Sequence, residues 1–261
     1  MKRHERLTKL FELISANESM SVDALVDALD VSAATVRRDL DHLAQQQLIT
    51  RTHGGATTSP TSSDIPLRYN SRSKEDREKR RIAEYASRLV APGENIALNG
   101  GTTTTEVARE LALRAELQSD VTGEQIVVLT NAVNIANELA VRPHMRVVLT
   151  GGVVRPMSFE LIGPLAGPVL DGISVDTLFL GVNAINPKGV FTWHDGEAAI
   201  NSRLVGQANR VVVVADHTKL DASAFARICT LEDVDMLVTD TDADPGIVTK
   251  LRAAGVEVAL V

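Results

Sequence analysis

The 261-residue chain holds one cysteine, one tryptophan and two tyrosines, and aromatics make up only 3 % of it. A lone cysteine, Cys229, cannot staple a fold and offers no metal-ligand spacing, so the sequence predicts no metal site and a reducing, cytoplasmic compartment. With so few aromatics the core has to be aliphatic. There is no long apolar run, and the N-terminus is charged at Lys2, Arg3, Glu5 and Arg6, which argues against a signal peptide or a membrane span. Several motifs are also missing: G-x-G-x-x-G after the first α/β strand, a Walker loop, the G-x-S-x-G elbow and paired Cys/His ligands. Their absence leaves NAD, loop-bound nucleotides, serine hydrolysis and zinc unsupported, and no cofactor is expected. Positive charge is not in excess either: 27 Lys and Arg against 34 Asp and Glu give a net charge of −7. That balance argues against nucleic-acid binding through the whole surface and leaves room for a local basic face.

What is present falls into two halves. Residues 1–57 read as three short helices and a hairpin. Leu7, Leu10, Phe11 and Ile14 recur at the spacing of one helical face. Ser21 can cap a second helix carrying Val22, Leu25, Val26 and Leu29, with Asp23 in its first turn. Ser32 can cap a third, whose buried stripe is Ala33, Val36, Leu40 and Leu43. Ala34, Thr35, Arg37, Arg38 and Asp41 then look outward. The stretch Q-Q-L-I-T-R-T-H-G-G-A alternates and ends in Gly54-Gly55, a β-ribbon with Arg51 and His53 near its tip. Two helices, a tight turn and a third helix presenting Thr-x-Arg-Arg form helix-turn-helix geometry, with the ribbon as a wing. The major groove of double-stranded DNA accepts one such helix. The DNA-binding residues expected are therefore Ser32, Thr35, Arg37, Arg38, Arg51 and His53. A helical interaction module with solvated arginines is the bland alternative, since acidic and basic residues nearly balance in this half.

Residues 58–72 are rich in Thr, Ser and Pro and read as a linker. A helix follows, with Ser73 and Asp76 as a capping box and Ile82, Tyr85, Ala86 and Leu89 as its apolar face. From about residue 92 strands and helices alternate. Strands are expected at 96–98, 126–130, 145–150, 177–181, 211–215, 236–239 and 256–261, and helices at 104–113, 133–140, 197–207 and 247–253. This alternation predicts a mainly parallel sheet covered on both faces, so the domains are 1–57, the linker and 73–261.

Ligands of open α/β sheets sit beyond the carboxyl ends of the strands. Here those ends read Asn99-Gly100-Gly101-Thr102-Thr103-Thr104, Thr130-Asn131, Gly151-Gly152 with Arg155, Asn183, and Asp216-His217-Thr218-Lys219. Together they supply backbone donors, hydroxyls, amides and two cations, an inventory suited to a phosphorylated sugar. Gly-Gly-Thr-Thr at a helix N-terminus suits the phosphate, because free N–H groups and the helix dipole favour an anion there. Asp216 with Lys219 can instead be a surface ion pair. Asp195 and Glu197, in His-Asp-Gly-Glu before a helix, suit hydroxyl recognition or capping. If they acted as acid and base with Lys219, the chain would be a sugar-phosphate isomerase or deaminase with an appended helical domain.

The segment V-S-A-A-T-V-R-R-D-L-D-H-L-A-Q-Q-Q-L-I-T-R-T-H-G-G-A resembles the DNA-binding signature of the DeoR (glycerol-3-phosphate repressor type) family of bacterial transcription regulators. N-G-G-T-T-T-T-E-V-A, L-T-N-A-V-N-I-A, L-T-G-G-V-V-R, D-T-L-F-L-G-V-N-A-I, G-E-A-A-I-N and A-D-H-T-K-L resemble that family's sensor domain, in the same order. The resemblance implies an α/β fold class. A winged helix-turn-helix would precede a Rossmann-like, mainly parallel sensor domain similar to ribose-5-phosphate isomerase and glucosamine-6-phosphate deaminase. It implies a repressor of a sugar-catabolism operon, not an enzyme, released from operator DNA by a phosphorylated sugar and working as a homodimer or homotetramer away from membranes. The chain departs from the family at Asn99, where Asp is frequent, at Gly100-Gly101, where a small residue and one Gly are frequent, and at Gln47, where Gly is usual. An Asn amide can donate where a carboxylate only accepts.

Overall fold

The computed structural model describes Arg6, Leu7, Lys9, Leu10, Leu13, Ile14, Asn17 and residues 19–45, 49–52, 54–58, 76–114, 117 and 125–261. Phe11, Gln47, His53, Ser73 and the linker from 59 onward lie outside the described residues. The chain divides into two compact units, Met1–Ser71 and Arg72–Val261.

In the first unit, helix α1 (Val22–Leu29) begins at Ser21, whose hydroxyl accepts the Ala24 N–H, and stops at Asp30, in left-handed backbone. Capping of this kind satisfies donors that the first helical turn leaves free. Helix α2 (Ala33–Gln45) follows after a short turn. The Ser32 hydroxyl accepts the Thr35 N–H at 3.3 Å. Leu10, Ile14, Val22, Leu25, Leu29, Val36, Leu40, Leu43, Ile49 and Ala56 form the core, as the 3.6-residue periodicity demands. Asp39 shares that buried face, three residues after Val36, and is held by Arg6, whose Nε lies 2.6 Å from its Oδ2. The ribbon is wider than a hairpin. Strand β1 (Ser19–Ser21) pairs with β3 (Gly55–Thr58), which pairs antiparallel with β2 (Ile49–Thr52). Strand β3 thus claims Thr58, the first residue of the expected linker. Three residues of β1 are too few to show alternation in a sequence.

In the second unit, helix α3 (Asp76–Ser87) buries Ile82 and Ala86 but ends before Leu89. The main sheet has seven strands, all parallel: β4 (Asn95–Leu98), β5 (Ile126–Thr130), β6 (Met145–Leu149), β9 (Val175–Gly181), β12 (Ala208–Val214), β14 (Met236–Thr239) and β15 (Glu257–Leu260). Their order is β15-β14-β12-β9-β4-β5-β6. Apolar clusters cover both faces of the sheet, which is why its strands are rich in Val, Ile and Leu. Helices α4 (Thr102–Leu113), α5 (Val133–Leu139), α6 (Gly167–Leu170), α7 (Asp195–Gly206) and α8 (Pro245–Ala253) lie between strands. Two small additions were not legible in the sequence. One is a hairpin of β7 (Val153–Val154) and β8 (Leu161–Ile162). The other is an antiparallel sheet of β10 (Ala184–Asn186), β11 (Gly189–Thr192) and β13 (Ala226–Cys229).

From β4 the chain builds outward to β5 and β6. From β9 it builds the other way, to β12, β14 and β15. The β4/β9 boundary is therefore the point where strand order reverses, the place where open α/β sheets bind ligands. Among the described residues, no helix is long and apolar enough to cross a membrane.

Candidate functional site

Asn99 leaves β4 at this boundary and ties it to β9. Its Nδ2 donates to the Gly181 carbonyl at 2.9 Å, and its Oδ1 accepts the Gly181 N–H at 2.7 Å. A side chain used in both directions, with 1 % exposure, is part of the frame. Gly100 comes next, so close to the following group that a Cβ would sit 2.4 Å from Glu160 Cγ. Helix α4 starts after Gly101 with no side chain capping it. The four threonines divide their work. Thr102 is exposed and Thr103 buried, while the hydroxyls of Thr104 and Thr105 donate to the Gly101 carbonyl at 3.0 and 2.7 Å. The hydroxyls of Thr104 and Thr105 are thus spent on the turn that precedes the helix. Thr130 is likewise turned to the frame, its hydroxyl accepting the Ala132 N–H at 3.0 Å.

Around these groups stand four residues the sequence named, Asn131, Arg155, Asn183 and Glu197, and two it did not, Glu160 and Asn201. The turn between β7 and β8 returns to the switch point, where Glu160 bridges Ala132 and the Leu161 N–H donates to the Asn131 carbonyl. Phe159, just before Glu160, has φ 58°, a conformation a bulky side chain rarely adopts and one that occurs preferentially at functional sites. Glu160 is buried. Its Oε1 lies 3.4 Å from Asn99 Nδ2, and its Oε2 accepts from Asn201 Nδ2 at 3.3 Å. Asn131 Nδ2 donates in turn to Asn201 Oδ1 at 3.4 Å, and Asn131 Oδ1 is buried with no partner among the described residues. Glu197, in the first turn of α7, accepts from Arg155 Nη1 at 3.1 Å and from the Thr192 hydroxyl at 2.8 Å. Asn183 Oδ1 lies 2.8 Å from the same hydroxyl and accepts the Trp193 N–H at 3.3 Å.

Burial pushes the Glu160 carboxyl up from the ordinary 4.5 to about 8, and the Glu197 anion adds to this. Asn201, Asn131 and the Gly100 N–H pull the other way. Between about pH 4.5 and 8 the folded chain therefore holds a proton that the unfolded chain has released. The folded state loses stability as pH rises through that window and levels off above it. Glu160→Gln removes this dependence. Melting both proteins from about pH 5 to 9 is expected to show the wild-type midpoint falling further than the variant's, and parallel curves would contradict the assignment.

Gly152 backs the hairpin and Gly151 the turn after it: a Cβ would meet the Ile162 carbonyl at 2.8 Å and the Leu165 carbonyl at 2.7 Å. Asp195 is exposed. His194, not Asp195, caps α7, with Nδ1 accepting the Gly196 N–H at 3.1 Å. The alternative reading of Asp216 and Lys219 as an ion pair is not met among the described residues. Asp216 is buried and accepts from the N–H and hydroxyl of Thr218, closing its own turn. Lys219, beyond β12, has no acidic partner among the described residues. His217, Asp240 and Asp242 bring ligand atoms within 4.8 Å of one another, but Asp240 already receives the His217 and Asp242 N–H groups, which explains the cluster as a locked turn. Burial raises the Cys229 thiol to about 12, which leaves it unreactive. In the first unit Arg37 and Arg38 are exposed on α2. Arg51 instead lies against that helix, its Nε 3.3 Å from Asp41 Oδ1.

A helix-turn-helix unit with an outward arginine pair, followed by an α/β unit with a polar crevice at its switch point, is the build of a ligand-responsive DNA-binding protein. Comparison with known proteins gives the family. Residues 6–62 match the DeoR-like helix-turn-helix domain and residues 74–241 the DeoR C terminal sensor domain. The chain is 36 % identical to the HTH-type transcriptional regulator GlpR of Haloferax volcanii, over 97 % of this chain and 96 % of that one. It is 33 % identical to a putative aga operon transcriptional repressor of Escherichia coli O157:H7, over 98 % and 93 %. With the glycerol-3-phosphate regulon repressor of Escherichia coli K12 it shares 30 % over 92 % of each. Ribose 5-phosphate isomerase A from Methanocaldococcus jannaschii aligns over 56 % of this chain and 55 % of its own, at 21 % identity and TM-score 0.39, a likeness that carries no conclusion. The chain belongs to the DeoR family: it is a DNA-binding transcriptional regulator with a C-terminal sensor domain, not an enzyme.

Proposed function

We propose that this regulator is a homo-oligomeric, cytoplasmic repressor of a sugar- or polyol-catabolism operon, released from its operator by a phosphorylated sugar. The observation that carries the ligand class is the uncapped N-terminus of α4 at the switch point. Its first N–H groups have no partner within the helix, and none of the neighbouring threonines caps it. Gly100, Gly101 and the N–H groups of Thr102–Thr104 hold the phosphate, and Lys219 neutralises it. Asn131, Asn183, Asp195, Glu197 and Arg155 face the hydroxylated end, on a frame of Asn99, Thr130, Gly151 and Gly152. One of the relatives is named for the glycerol-3-phosphate regulon, which agrees with a phosphorylated polyol or sugar as signal. Ser32, Thr35, Arg37 and Arg38 meet the operator through α2, with Arg51 and His53 on the wing side.

The ligand must favour one arrangement of the oligomer over the operator-bound one, since only differential affinity shifts a population. The test is to select an operator from a random duplex pool and follow its release by anisotropy as sugar phosphates are added. Release by a phosphorylated compound and not by its parent sugar is expected, and release by the parent sugar alone would sink the proposal. Lys219→Ala should then need roughly tenfold or more ligand for half-release, since a charge-assisted hydrogen bond contributes ~1.5–3 kcal/mol. An unchanged half-release point would move the phosphate away from Lys219.

A further inference from the structure

We propose that Glu160 is a specificity-determining residue of the sensor: its carboxyl group reads a hydroxyl of a sugar monophosphate held at the α4 N-terminus, and with Glu197 it turns away ligands carrying a second anionic group. The inference rests on the sugar-phosphate reading above and deepens it. Glu160 sits where the anion cradle begins. Its Cγ occupies the space a Cβ on Gly100 would need, and the nearby Gly100 N–H favours its charged form. The left-handed backbone at Phe159 and the Arg155 N–H on the Glu160 carbonyl, 2.8 Å, hold it in place. Beside it lies the buried Asn131 Oδ1, an acceptor that nothing among the described residues satisfies. Unpaired buried acceptors ask for donors, and hydroxyls are what a sugar brings.

The groups facing Glu160 leave it little freedom to ionise. Glu197 of α7 is the charge against it, and Arg155, from the β7–β8 turn, is already paired with Glu197. Asn99, Asn131 and Asn201 do not titrate. With its carboxyl raised to about 8, Glu160 is an acid at neutral pH and can donate as well as accept. As a carboxylate it becomes a second anion beside Glu197 and competes with the ligand phosphate for the Gly100 N–H. A carboxylate on the ligand meets the same opposition.

The experiment is calorimetric titration of the full chain from about pH 7 to 9.5, across the Glu160 titration. The probes are glycerol 3-phosphate, glucose 6-phosphate, fructose 1-phosphate and N-acetylgalactosamine 6-phosphate, with 3-phosphoglycerate and 6-phosphogluconate as the matched acids. Wild-type affinity for a binding monophosphate is expected to fall about tenfold per pH unit above 8, the linkage slope for one required proton. The matched acid should bind at least roughly tenfold more weakly at neutral pH. Glu160→Gln should bind with an affinity that shows no fall at alkaline pH, while Glu160→Ala loses roughly tenfold or more at every pH. A Glu160→Gln protein that follows the wild-type pH slope, or a wild type that binds the acid as well as the monophosphate, overturns the inference alone. Binding of no monophosphate by the wild type overturns the reading of the site, and this inference with it.

Discussion

Replacing Arg37 and Arg38 together by Ala is expected to abolish operator binding at physiological salt while leaving the fold intact. Both side chains are exposed on α2, and neither forms an ion pair among the described residues. Their helix is held from the other side by Val36, Leu40 and Leu43. Exposed substitutions of this kind usually change stability by less than about 0.5 kcal/mol. A bidentate pairing with a base contributes ~1–3 kcal/mol, and giving up one phosphate partner lowers the salt slope by about one. With both arginines lost, affinity falls by more than about a hundredfold, at ~1.4 kcal/mol per decade. Anisotropy titrations at several salt concentrations separate the two roles. A fall confined to the selected sequence marks a base reader, and a uniform fall with a shallower salt slope marks a phosphate binder. Unchanged affinity and slope would place the DNA interface on another face.

Gly100→Ala is expected to give the opposite phenotype, a repressor that binds operator and ignores the ligand. The new Cβ would lie 2.4 Å from Glu160 Cγ, and Glu160 has nowhere to retreat between Asn99, Asn201 and Glu197. Either the carboxyl or the turn at the head of α4 must move, and overpacking of this sort costs about 1–3 kcal/mol. The N–H groups of the cradle move with the turn, so ligand affinity falls. The helix-turn-helix has its own core and is untouched by the change. Operator affinity within about twofold of wild type, with no release by the ligand that releases wild type, is the expected pair of results. Normal release would show that the cradle is not at Gly100.

The seven parallel strands were legible because apolar residues dominate them, the central ones being buried on both faces; β5 and β14 fall on the expected residues, and the ends of the others differ by about one to three, the usual uncertainty of a boundary. The short strands were not. Val153–Val154, Leu161–Ile162 and Ala184–Asn186 are two or three residues long and make sense only beside their partners. The candidate site was legible where it follows a long strand, at Asn99–Thr104 and Thr130–Asn131, since strand ends can be counted off a sequence. Glu160 was missed because it reaches the crevice from a turn after the edge strand β6. The available signal was a lone acid between Phe159 and Leu161, two flanks that both proved buried. Asp39 carried a similar signal, three residues after Val36 on the buried stripe. Which polar groups serve the frame and which stay free for a ligand was not legible, because that depends on pairings such as Asn99 with Gly181, 82 residues apart in the chain.

The most direct measurement is the melting temperature of the purified protein against a panel of sugar phosphates and their unphosphorylated parents. A ligand that binds only the folded state stabilises it by ~2.7 kcal/mol at a hundred times its dissociation constant. The account predicts a raised midpoint with at least one phosphorylated sugar, no shift with its parent, and a reduced shift in Lys219→Ala. An equal shift with the parent sugar, or no shift with any phosphorylated compound, would contradict a phosphate cradle at the head of α4.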